Sequence, residues 1–512
     1  MRKKKILYVP LDERPCNYDF PNFLSSGSAF SLERPGRELM GLKKEPGEAE
    51  RIWEWLFEHV KDADGAILSL DTLIYGGIVP SRLHEMTIEE CNNRLQRIRK
   101  LKELNPQLQI YAFHLIMRCP SYSSHDEEPD YYEQWGREIF RQGFIRHKIE
   151  IGIATEEERK ELQAIEAVLP EAVVKDYKNR RSVNREMNKQ AIELVQGNMI
   201  DFMIIPQDDS APYGLTAIDQ QYVREYIEAL GLQLCVYMYP GADEIGCTLL
   251  ARMINQYLGR KPLIYPRFSS IEGPFITPTY EDRALLETIK YQVMAAGGLL
   301  CTSCTEADLV LCVNTPGDRM MEACAQNDRG IGYNVFRTII ELVETADYIV
   351  HYLKKPCMIA DVAFINGGDL ELLQLLRDKK LLFKLAAYAG WNTSSNTLGT
   401  CIAQGMLYSV YGNTQSHLDF LSLRYVEDAG YCSFVRTYMC KNELPHLGSG
   451  FTYFSIDGPR GKVAGRVKVL LNDFIELHIN DGEYEVKIDD CYMPWSRMFE
   501  VGLKTHAVKL EK

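Results

Sequence analysis

Phe202-Met203-Ile204-Ile205-Pro206-Gln207-Asp208-Asp209 is a short apolar run that stops on an amide and two carboxylates, and this form recurs along the chain. A continuous apolar run of that length suits a strand buried on both faces, as in a parallel sheet. Eight further runs share the pattern, at residues 6–11, 65–70, 108–117, 232–239, 263–268, 309–313, 357–365 and 384–389. Polar residues follow many of them: Asp12, Glu13 and Arg14 after the first, Asp71 after the second, Arg118 after the third, Asp243 and Glu244 after the fifth. Helix-forming stretches at 51–60, 88–104, 220–230, 245–258, 283–296 and 370–376 lie between the runs. Alternating strands and helices predict an α/β fold, in which sites are built at the carboxyl ends of the strands.

The spacing predicts a TIM-barrel-like parallel β/α unit over residues 1–260, with a charged helical insertion at 119–199. A second α/β lobe is expected over 261–435 and a small β-rich C-terminal module over 436–512. Nine runs do not match the eight strands of a closed barrel, so an open sheet is the competing arrangement. Within the insertion, Arg181, Asn184 and Asn188 fall at helical spacing and form one polar face, belonging either to a lid or to a solvated helix. Two-residue alternation at 463–471, 474–479 and 484–488, with an Asn480-Asp481-Gly482 turn, predicts antiparallel strands near the C-terminus.

Composition narrows the function. The chain has 512 residues, 46% of them apolar, and carries a formal charge of −13. That field repels nucleic-acid backbones and anionic lipid, so neither nucleic acid nor membrane is an expected partner. No run approaches the 18 apolar residues of a membrane span and no signal peptide is recognisable, so a cytoplasmic location with reduced cysteines is expected for the 14 thiols. Cys301-Thr302-Ser303-Cys304 has metal or redox spacing, but no second pair accompanies it. Nucleophile-elbow, phosphate-loop, zincin and dinucleotide motifs are all missing.

The candidate chemistry rests on acids. Asp208 and Asp209 are adjacent at a strand end before a Pro/Gly turn, and like charges so close push one pKa up toward that of a general acid. Asp209 is the expected general acid and Asp208 an orienting carboxylate, with Glu244 as a further catalytic candidate. Asp12, Arg14, Asp71 and Asp243 are expected to bind substrate. Trp391, Asn392 and Asn396 join them, because an indole face and amides suit a sugar ring and its hydroxyls. Helix capping, turns and structural ion pairs compete with each of these readings.

Six motifs, PLDERPCN (10–17), LDTLIYGGIVPSR (70–82), PQDDSAPYG (206–214), YPGADEIG (239–246), AYAGWNTSSNTLG (387–399) and MPWSRMFE (493–500), resemble those of a bacterial family catalogued as domain of unknown function 4127. The resemblance spans nearly the whole chain and implies that these positions belong together, without implying a reaction. A looser likeness to barrel hexosaminidases rests on Asp208 and Asp209 alone and is a fold-level analogy.

The leading expectation is a glycoside hydrolase acting on a small sugar derivative, N-acetylated ones included, by carboxylate general acid/base catalysis and without a cofactor. Two alternatives stand beside it. One is a divalent-metal hydrolase or isomerase holding Mg or Mn on Asp12, Asp71, Asp208, Asp209 and Glu244. The other is a non-enzymatic sugar-binding or regulatory protein.

Overall fold

A computed structural model describes residues 3–511. The chain divides into two compact units: unit 1 comprises Met1–Glu13, Ser31–Gly246 and Tyr280–Asp282, and unit 2 comprises Arg14–Phe30, Cys247–Thr279 and Arg283–Lys512.

The first sheet contains β1 (Lys4–Val9), β2 (Phe30–Glu33), β3 (Gly65–Ser69), β4 (Gln109–Phe113), β5 (Phe202–Gln207) and β6 (Val236–Pro240) in the order β2-β1-β3-β4-β5-β6. β1, β3, β4, β5 and β6 pair in parallel. β3 and β5 are buried at every residue, which is why they read as unbroken apolar runs. The sheet is open, with β2 and β6 at its edges, and among the described residues the two do not pair with each other. The expected barrel closure is therefore not found. The chain lays β2 outside β1 and then returns to the other side of β1 for β3, so the strands grow outward from β1 instead of around a ring.

Helix α1 (Ala49–His59) buries Ala49, Ile52, Trp53 and Leu56, one face at helical spacing. The short α2 (Leu70–Tyr75) starts directly after β3, capped by the Ser69 hydroxyl, which accepts from the Thr72 N–H. Its Thr72 hydroxyl donates to the carbonyls of Pro10 and Leu11 and so pins the loop after β1. The insertion between β4 and β5 folds as α3 (Tyr132–Glu150), α4 (Glu156–Glu166) and α5 (Glu171–Gln196). The polar face of α5 is not solvated: Arg181, Asn184 and Asn188 are all buried.

The second sheet contains β7 (Leu263–Phe268), β8 (Leu299–Leu300), β9 (Leu309–Asn314), β10 (Cys357–Asp361) and β11 (Ala387–Ala389), all parallel, in the order β8-β7-β9-β10-β11. The C-terminal region supplies an antiparallel pair, β12 (Tyr484–Tyr492) with β13 (Gly502–Lys509). Residues 463–479, expected as strands, instead lie in a helix, Lys462–His478, and its C-cap. Its buried residues Val463, Val467, Leu471, Phe474 and Ile475 recur every three or four positions, and that spacing prevailed over the apparent two-residue alternation. The 14 cysteines are free thiols, and Cys301 and Cys304 are half-buried. No helix among the described residues is long and apolar enough to cross a membrane.

Candidate functional site

The carboxyl ends of β3, β4 and β5 bring charged side chains of unit 1 together. Arg82, from the segment after α2, is 2% exposed and donates to Asp208 at 2.7 Å and to Glu127 at 3.0 Å, with Glu128 at 3.4 Å. Arg118, just past β4, donates to Glu128 at 2.8 Å and to Asp209 and Glu127 at 3.2 Å each. Four carboxylates thus meet two guanidinium groups in one largely desolvated cluster. Glu128 is almost fully buried, and its second carboxylate oxygen has no hydrogen-bond partner among the described residues.

Asp208 and Asp209 therefore sit in one cluster, each on its own arginine. Burial pushes the Asp209 carboxyl up to about 6, with the Asp208 and Glu127 charges adding to the rise and Arg118 and Arg82 opposing it. Its backbone adopts φ of 36°, a left-handed conformation that a non-glycine residue holds only when its surroundings enforce it. Part of that enforcement is visible downstream: the Ser210 N–H donates to the Tyr280 carbonyl and the Gly214 N–H to His147 Nδ1. The Tyr122 hydroxyl lies in the field of Arg118 and Asp209 and is pushed up to about 12 by burial and the nearby acids.

Asp71 borders this cluster. It is 2% exposed, accepts the Leu115 N–H at 3.1 Å, and burial pushes it up to about 8 with the Asp208 charge adding, so it carries a proton at neutral pH. His114 Nε2 is 3.7 Å from the Asp71 carboxylate, while the Asn188 amide lies 2.8 Å from His114 Nδ1. Burial lowers His114 to about 3, so the ring is neutral. The buried face of α5 holds these loops in place. The Arg118 carbonyl accepts from the Tyr177 hydroxyl and from Arg181, the Asn184 amide donates to the Ser81 carbonyl, and Arg181 pairs with Asp219 at 2.7 Å.

The remaining expected residues have other surroundings. Glu244 is fully buried and folds back onto its own loop, where its Oε2 accepts the Ala242 N–H. Gly241 makes that possible: its φ is 147°, and a Cβ there would stand 2.1 Å from a Glu244 carboxylate oxygen. Asp12 and Asp243 are buried in unit 1, 3% and 5% exposed. Arg14, Trp391, Asn392 and Asn396 belong to unit 2. Asn396 bonds the Thr393 hydroxyl that caps the helix Ser394–Tyr411, and Trp391 packs edge-on against Phe20 with ring centroids 5.8 Å apart. Arg118 follows an apolar run just as the acids do, so its position was legible; Arg82 lies beyond the helix and turn that follow the run at 65–70 and was marked only by its motif. Glu127 and Glu128 were not, because they lie in a loop with no strand to mark it.

Asp208 and Asp209 are both engaged by arginine, and among the described residues no group of three or more His, Cys, Asp or Glu converges as a metal site would require. No curated protein matches the chain. The sequence pattern of one family does, from residue 6 to residue 504, and on that match over nearly its whole length the chain belongs to the family described as protein of unknown function (DUF4127).

Proposed function

We propose that unit 1 carries a glycoside hydrolase site for a small sugar derivative, N-acetylated ones included, with Asp209 as proton donor and Asp208 as its arginine-paired neighbour. The observation that carries this reading is the unequal environment of two adjacent acids: burial raises Asp209 to about 6, while Arg82 holds Asp208 at 2.7 Å. Two neighbouring carboxyl groups in different surroundings can divide acid and charge-stabilising roles between them. Carboxylates gathered in one place favour a transition state that develops positive charge, as an oxocarbenium-like or acetamido-derived cation does. Asp209 then protonates the leaving oxygen and Asp208 steadies the cation or orients the acetamido N–H. Asp71, already protonated, and the acids Asp12, Asp243 and Glu244 of the same unit are candidates for holding hydroxyl groups.

The test is a panel of chromogenic aryl glycosides and N-acetylglycosaminides, assayed between pH 4 and 8. Turnover should fall as the pH rises through about 6, where Asp209 loses its proton. Asp209→Asn should lower kcat by about 10²–10⁴, the usual worth of a positioned general acid. Unchanged turnover in that variant, or no turnover of any glycoside by the parent protein, overturns the proposal.

A further inference from the structure

In unit 2, the loops after β7 and β9 are stitched to residues 331–340 through their backbones. The Ser270 hydroxyl donates to the Phe336 carbonyl at 2.9 Å, and the Thr338 N–H donates to the Ser269 carbonyl at 2.7 Å. The Gly317 N–H donates to the Gly332 carbonyl at 2.9 Å. Gly317 also lies so close to Phe336 that a Cβ there would stand 2.4 Å from the Phe336 Cβ.

These joined segments carry Ile271, Phe275, Ile331, Val335, Phe336 and Ile340, all between 50% and 88% exposed. The inner positions of the same stretch are filled by others: Tyr333 is buried in the turn Ile331–Asn334, and Ile339, Leu342, Val343 and Ala346 are buried in the helix Ile339–Tyr348. The core is therefore complete without the six outer side chains. With half or more of each in solvent they leave on the order of 100 Å² apiece, roughly 600 Å² together. That is at the upper end of the largest apolar patch on an ordinary monomer, about 300–600 Å², and approaches the ~800 Å² that each partner gives to a stable interface.

Charge decides which partner fits. The chain carries −13, so two copies repel each other unless the faces that meet are locally balanced. Here they are. Arg267 pairs with Glu341 at 2.5 Å and Arg329 with Glu371 at 2.6 Å. Two exposed charges of opposite sign, Glu272 beside Ile271 and Arg319 two residues past Gly317, form no ion pair among the described residues. A face with one such acid and one such base complements itself, because a two-fold axis forms the same pair twice. A partner charged with one sign would satisfy only one of the two.

We infer that this face of unit 2 binds a second copy of the chain about a two-fold axis, with the six apolar side chains at the centre and Glu272 of each copy paired with Arg319 of the other. The inference does not depend on the glycosidase reading, since it concerns other residues and needs no turnover. Its test is sedimentation of the full chain from about 1 to 100 µM, where an interface of this size should give a species of twice the chain mass. Ile340→Glu sets like charges against each other in the apolar centre and should weaken association about 100-fold or more. Glu272→Arg and Arg319→Glu should each weaken it about tenfold, and the double variant should restore it, since the pair is then re-formed with its signs exchanged. All three positions are exposed, so an unchanged circular dichroism spectrum is expected and separates loss of association from loss of folding. A chain that stays monomeric throughout overturns the inference, including one that floats with phosphatidylcholine vesicles and so uses the face on lipid. A dimer indifferent to Ile340→Glu, or a double variant that associates no better than the single ones, overturns it as well.

Discussion

The two units share one topology and treat it differently. In each, the second strand lies outside the first, and the third, fourth and fifth follow on the other side. Each also gathers carboxylates and arginines at the carboxyl ends of its strands. In unit 2 the cluster is sealed: Arg337 and Asp369 pair at 2.8 Å with neither side chain exposed, and Asn314 donates to Asp361 at 2.9 Å. Asp361 also accepts the Asp369 N–H and the Tyr388 hydroxyl. In unit 1 the cluster is open at one side, with the side chains of Asp208, Glu127 and Asp209 exposed by 13%, 17% and 20%. The same sheet geometry therefore yields a structural lock in one place and accessible titrating groups in the other. The sealed set is closed to solvent, although one Arg337 nitrogen finds no hydrogen-bond partner among the described residues; the open set can be reached by solvent or a ligand.

The comparison can be broken by experiment. The largest stability effect should come from the lock: Arg337→Met leaves Asp369 buried without its cation and should cost about 3–5 kcal/mol. Urea unfolding would measure it, and a loss below about 1 kcal/mol would mean that the sealed cluster is not structural. Gly241→Ala comes next, at about 1–3 kcal/mol, because it combines a disfavoured φ with a Cβ inside the Glu244 carboxylate. An accompanying Glu244→Ala should recover part of that loss if the contact is the cause.

Smallest for any one group, per pH unit, is the pH slope. Asp71, Asp209, Asp361 and Asp428 have folded pKa values raised to about 8, 6, 7 and 8 from an ordinary 3.8, burial being the main cause in each. Between about pH 4 and 8 the folded chain keeps protons that the unfolded chain has released. Stability is therefore greatest below about pH 4 for these groups and is lost as the pH rises through their folded values, at no more than about 1.4 kcal/mol per unit for each. Urea midpoints at pH 5 and pH 8 would show the decline. Asp361→Asn should flatten it more than Asp209→Asn does, because the open side of the unit 1 cluster lets solvent stabilise an ionised Asp209.

The local pattern of the chain carried much of this. All nine apolar runs contain strands, since a strand buried on both faces has to be apolar throughout. The edge strands β2 and β8 escaped notice because they are short and half-exposed, with burial on too few residues to leave a run. The stretch at 463–479 misled because apolar residues at three- and four-residue spacing also produce brief two-residue alternation. Asp208 and Asp209 stood out because they end a strand. Glu127 and Glu128 did not, because nothing local in a loop records which distant arginine it will meet.

What the sequence determined by itself is the α/β class, the position of the strands and the gathering of polar residues at their ends, all of which follow from burial along a short segment. Only the tertiary structure decided that the sheets are open, that Arg82 and Arg118 share the acids, and that the loop after β7 meets the segment around Phe336. Those outcomes depend on strand order and long-range packing, which bring together side chains whose separation in the chain carries no trace of their contact.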